Sequence, residues 1–125
     1  VGIPIKITVG NSPSQVRAAV LGLAAVSYAQ MREARLPPLY SGRIRYVRER
    51  PGREQWQTAL ETASRGVGDC EDLAAYRLAE LQAGGERGAT ILVRVVRPEL
   101  FHIVVKRASG AIEDPSARLG MRGRG

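Results

Sequence analysis

The chain has 125 residues, 44% hydrophobic and 25% charged, with a formal charge of +7, one cysteine and one histidine. This length and composition predict a single globular domain with a sizeable core. They exclude an intrachain disulfide, and one Cys with one His falls short of a four-ligand zinc set.

The arginine excess either solvates one face or meets an acidic partner, a protein or nucleic-acid surface. Arg43, Arg45, Arg48, Arg50 and Arg53 crowd one region, yet no nucleic-acid recognition motif accompanies them. Single-cysteine usage suits a reducing, cytoplasmic setting. No signal peptide is visible. The most apolar stretch, residues 18–29, is shorter than the ~20 residues of a bilayer span, so no membrane association is expected.

In chain order, Ile3, Ile5, Ile7 and Val9 alternate with Pro4, Lys6 and Thr8, which predicts an edge strand. Ser12-Pro13 reads as an N-cap with proline at the first helical position. Val16, Ala19, Val20, Leu23 and Ser27 then share a helical face, and this helix is predicted to last to about Ala34. Arg43 to Glu49 reads as a short extended segment. A second helix is predicted from about Glu54 to Arg65, stopped by Gly66. A third starts at Cys70, carries Leu73, Tyr76, Arg77, Leu78 and Leu81, and ends at Gly84-Gly85.

The runs ATILVRVV, LFHIVVKR and AIED follow, with short turns between them, and predict an antiparallel meander. Helices followed by strands make the class α+β. Residues 1–117 are expected to form the domain and residues 118–125, with Arg118, Arg122 and Arg124, a flexible basic tail.

The only cysteine starts a helix. Unpaired N–H groups and the helix dipole favour a thiolate there, and the Cys70 backbone N–H is a candidate oxyanion donor. Asp69 reads as the N-cap, with Asp72 three residues on. Glu71 and Asp72 oppose thiolate formation, so a positive partner is needed. His102, the only histidine, lies in a predicted strand, and Asp114 ends the next one. A hairpin turning about Ala108 places residues 102 and 114 opposite each other on one sheet face. Cys70 is then the nucleophile, His102 the base and Asp114 its orienter. Taken singly, a buried cysteine, a structural histidine and a turn explain these residues as well. No cofactor is expected.

The segments GVGDCEDLAAYRLAEL, FHIVV and AIEDPS, in that order, resemble the core of the transglutaminase-like superfamily. The likeness is closest to small bacterial and phage transglutaminase-like cysteine proteinases and covers about Glu54 to Pro115. It implies an α+β papain-like core and the same Cys70, His102 and Asp114 set. It also makes Gln55, Trp56 and Gln57, in the segment leading to the nucleophile, candidate oxyanion donors. Members of the family often carry a Trp after the His, where Ile103-Val104-Val105 stand here. An aromatic is also common before the third acid, where Ile112-Glu113 stand.

The expected function is therefore a cysteine-dependent amide hydrolase or acyl transferase on a protein or peptide substrate, either a protease or amidase or a cross-linking enzyme. The alternative is a phage-type structural or assembly module on the same fold, virion-associated if phage-encoded.

Overall fold

The computed structural model describes residues 12–48, 55–98 and 100–121. The strand expected over residues 3–9, together with Glu49, Arg50, Arg53, Glu54, Arg122 and Arg124, lies outside the described residues. The element order is α1 (Pro13–Glu33), β1 (Arg45–Tyr46), α2 (Ala59–Arg65), β2 (Val67–Gly68), α3 (Cys70–Ala83), β3 (Thr90–Arg97), β4 (Leu100–Lys106), β5 (Ile112–Glu113) and α4 (Pro115–Arg118). The domain is α+β, with its three-stranded antiparallel sheet in the order β3-β4-β5. Among the described residues no helix is long and apolar enough to cross a membrane.

Helix α1 starts where expected. The Ser12 hydroxyl accepts from the Gln15 N–H (3.2 Å), and Gln15 Oε1 accepts in return from the Ser12 N–H (2.7 Å). Its buried face carries Val16, Val20, Leu23, Ala24 and Ser27. Helix α2 is shorter than predicted, because residues 55–58 are held out of it. The Gln57 N–H is bonded to Asp72 (2.7 Å), Trp56 is buried, and the Thr58 hydroxyl caps Glu61. Side chains of α1 then satisfy two of its free N–H groups: Ser27 accepts from Ala59 and Gln30 from Leu60, each at 2.9 Å.

Helix α3 is the centre of the molecule. Residues 70 to 76 are all buried, because apolar layers cover the helix from two sides. On one side, Cys70, Ala74, Ala75, Leu78 and Leu81 pack with α1, Trp56 and the sheet residues Ile91, Ile103 and Val105. On the other, Leu73 and Tyr76 pack with Leu39, Ile44 and Ala59.

The parallel pairing of β1 with β2, Arg45 to Val67 and Tyr46 to Gly68, was not foreseen in the sequence. Nor was α4, where Pro115 follows the N-cap Asp114. The described part of the expected tail, as far as Met121, makes hydrogen bonds to the domain. Arg118 closes α4, the Leu119 carbonyl accepts from the Tyr46 N–H (2.9 Å), and the Met121 N–H donates to Ser116 (2.9 Å).

Strand β5 is held by one carboxylate. Glu113 accepts from the Tyr40 hydroxyl, from Arg77 Nε (2.6 Å) and from Arg107 Nη1 (3.1 Å). Burial pushes its carboxyl up, but these hydrogen bonds and the positive charge of Arg77 outweigh burial, and the net direction is down. Glu86, half-buried and doubly bonded to Arg107, is pulled down to about 2.

A carboxylate held below its unfolded value stabilises the fold above that value, and the contribution is lost as pH falls through the folded one. The stability of the parent therefore falls below the unfolded glutamate value of pH ~4.3. Glu113→Gln should cost about 3 kcal/mol near neutrality, as for one broken partner of a buried pair. It should also flatten the acid limb. Thermal melts across the acid range check both.

Candidate active site

Asp69 caps α3 and Cys70 is its first residue. The thiol donates to Glu71 Oε1 (3.4 Å). Cys70 packs in one cluster with Ile103 of β4, the residue after His102. His102 Nε2 lies 2.8 Å from Asp114 Oδ2. A carboxylate acceptor pairs with a ring N–H at Nε2, and in the neutral ring that tautomer leaves the lone pair on Nδ1.

The meeting of His102 with Asp114 depends on register. The observed pairs are Val105 with Glu113 and Lys106 with Ile112. The hairpin thus turns about Ser109, not Ala108, through a three-residue loop with Gly110 at φ +94°. Asp114 follows Glu113 at the level of Val104 and reaches His102 diagonally. The shift by two preserves parity, so both side chains stay on one face. Glu113 points away and is committed to Tyr40, Arg77 and Arg107. Asp114 also caps α4, its Oδ1 accepting from the Ala117 N–H (3.2 Å).

The oxyanion candidates divide. The Cys70 N–H donates to Asp69 Oδ1 (2.7 Å) and is not open to a substrate in this state. Gln57 is also committed: its N–H to Asp72, its Nε2 to Thr62 (3.1 Å) and Val67 (2.9 Å), its Oε1 to Arg65 (2.6 Å). Gln55 is exposed. Trp56 is buried in the same cluster as Cys70, and its indole Nε1 has no hydrogen-bond partner among the described residues.

Electrostatics at the thiol run against expectation. The helix start and a nearby histidine predict a lowered pKa. Burial, then the charges of Glu71 and Asp69, push the Cys70 thiol up, with only the Ile103 N–H pulling it down. Glu71 is itself pushed up by burial and by Asp72 and Asp69. Tyr46, a neighbour the sequence reading missed, hydrogen-bonds Asp69 and is raised by burial and by the charges of Asp69 and Cys70. Its only sequence signal is its place in the extended segment.

Ligand atoms of Asp69, Cys70 and Glu71 lie within 4.8 Å of one another. One is the thiol and another already caps a helix. The three are hydrogen-bonded within the start of α3, Cys70 N–H to Asp69 and the thiol to Glu71, and no cofactor is assigned to them.

Alkylation of Cys70 by iodoacetamide should follow an apparent pKa above the free-thiol value of ~8.5. Asp69→Asn keeps a good N-cap but removes its charge, so the midpoint should move down. Rates measured against pH for both proteins decide this.

Comparisons of the chain with family models, curated proteins and solved structures find no match, so what the site does is argued from its own geometry.

Proposed function

We propose that the chain is a cysteine-dependent amide hydrolase or acyl transferase of the transglutaminase-like kind, on a papain-like core, acting on a protein or peptide. The observation that carries this reading is the 2.8 Å His102–Asp114 bond on β4, whose next residue, Ile103, packs with Cys70 at the start of α3.

The resting nucleophile is a thiol, so His102 works as a general base. Nδ1 takes the thiol proton as sulfur attacks the amide carbonyl. A tetrahedral oxyanion forms, and the Trp56 indole N–H is the candidate donor still unengaged. Collapse expels the amine, which takes the proton from His102, and leaves a thioester. Water resolves it in a protease or amidase, and a lysine amine in a cross-linking enzyme. Asp114 holds the imidazolium without accepting its proton.

A second reading, an assembly module with little or no activity, draws on the burial of the thiol and the engaged Cys70 N–H. A panel of peptides, γ-glutamyl amides and amine donors separates the two. Turnover by the parent supports the enzyme, and none across the panel supports the module.

With a working substrate, Cys70→Ala should abolish turnover. Asp114→Asn keeps the acceptor that caps α4 but turns an N–H toward His102 Nε2. The ring then adopts the other tautomer, and turnover should fall about a thousandfold or more with circular dichroism unchanged. Near-parent turnover by this variant would move the third role away from Asp114.

Trp56→Phe removes a buried donor that bonds nothing, so no lost hydrogen bond weakens the fold. Its kcat should fall about a hundredfold, well beyond what the shift in melting temperature accounts for. A loss in step with stability would assign Trp56 to packing alone.

A further inference from the structure

Two exposed arginines lie near the proposed site, one beside His102 and one along the run after Tyr46. Arg94 stands directly across the β3–β4 ladder from His102. Directly paired residues share a sheet face, with Cβ atoms ~4.5–5.5 Å apart. Arg48 lies two residues beyond Tyr46, and the Val47 N–H bond to the Gly68 carbonyl (2.9 Å) continues the extended run between them. Alternation puts Arg48 on the face of Tyr46, whose hydroxyl reaches Asp69 beside Cys70. One guanidinium thus flanks the base and another the nucleophile.

Both residues are exposed, and among the described residues neither forms an ion pair. Arg77 and Arg107, in contrast, are both locked onto Glu113. The nearby carboxylates have other work. Asp69 takes the Cys70 N–H and the Tyr46 hydroxyl, Glu71 accepts the thiol, and Asp114 holds His102. A planar guanidinium with no internal acceptor fits a carboxylate from outside.

Resting on the reading of Cys70 as nucleophile and His102 as base, we infer that the site selects acyl donors carrying a carboxylate beside the scissile amide, an acidic peptide, through Arg94 beside His102 and Arg48 beside Tyr46. The acidic partner favoured by the overall charge thereby acquires a place and a purpose. A nucleic acid fits less well, since the arginines flank a nucleophile set to attack a carbonyl.

The test compares alkylation of Cys70 in the intact protein by iodoacetate and iodoacetamide, at one pH and low ionic strength. Both reagents form an S–C bond, expel iodide and release the thiol proton to solvent. They differ in the charge they bring. The ratio of their rate constants cancels any change in thiolate fraction, and glutathione sets the reference.

The parent ratio should exceed that of glutathione at least about threefold and shrink as salt is added. Arg48→Ala with Arg94→Ala should return it to the reference. Arg87→Ala, beyond the far end of α3, should leave it at the parent value and so separate the local arginines from the net charge. Polyglutamate should protect Cys70 from iodoacetamide, and polylysine should not.

If both reagents react but the parent ratio is no higher than glutathione's, the arginine frame is overturned and the nucleophile survives. Reaction with neither reagent overturns the frame and the enzyme reading together. Protection by duplex DNA but not by polyglutamate overturns the acidic-peptide assignment in favour of nucleic acid.

Discussion

The buried carboxylate of Asp72 is the joint on which the site turns. It is 2% exposed and has both oxygens engaged. Oδ2 accepts the Asp69 N–H (3.0 Å) and closes the cap of α3, and Oδ1 accepts the Gln57 N–H (2.7 Å). The first bond sets where α3 begins, and hence where Cys70 stands. The second draws residues 55–58 off the helical path and lays Trp56 against the same helix. Gly68 makes this approach possible: a Cβ there would sit 3.0 Å from Asp72 Cβ and 3.1 Å from Leu73 Cδ2. Position N3 suits the charge, because the dipole is positive at that end.

Glu113 does for β5 what Asp72 does for α3. Two arginines and a tyrosine converge on it, and Arg77 and Arg118 stack over the Tyr40 ring at 5.0 and 4.6 Å. Buried ion pairs are weak net stabilisers, since desolvation offsets much of their attraction. Their worth here is positional. With Glu113 fixed, the next residue faces the other way, and Asp114 has one oxygen for the cap of α4 and one for His102. The start of α3 is set against β4 by the packing of Cys70 with Ile103 and Val105.

Much of this was legible in the sequence, for identifiable reasons. Long periodic segments gave α1, α3 and the meander. The place of Cys70 at the start of α3 and the His102–Asp114 pair were legible because each is set by an element boundary or a strand parity. Parity survives a register error of two, so His102 and Asp114 still meet although the turn lies at Ser109. Strands β1 and β2 are too short for any periodicity, and a parallel pair leaves no turn signal. Residues 55–58 have helical composition, and a bond to a residue fifteen positions away overrides it. The tail was read from its glycines and arginines, yet Leu119 bonds Tyr46. Nothing local marks the links of Glu113 to Tyr40 and Arg77, which lie 73 and 36 residues away.

The thiol shows why a local rule lost to a tertiary one. A helix start stabilises a thiolate through partial charges worth about 0.3–1 kcal/mol at an exposed site. Cys70 is not exposed, and its turn carries Asp69, Glu71 and Asp72. Desolvation and like charge both oppose ionisation, and only the Ile103 N–H works for it. Burial and like charge therefore favour the thiol form of Cys70. On the enzyme reading proposed above, such a site would keep its nucleophile unreactive until the proton has somewhere to go. Attack and proton transfer would then run together, with the proton passing to the ring nitrogen that the Asp114 bond leaves free. On that reading, the burial that raises the thiol and the carboxylate that orients the imidazole would be two halves of one arrangement, because neither confers reactivity without the other.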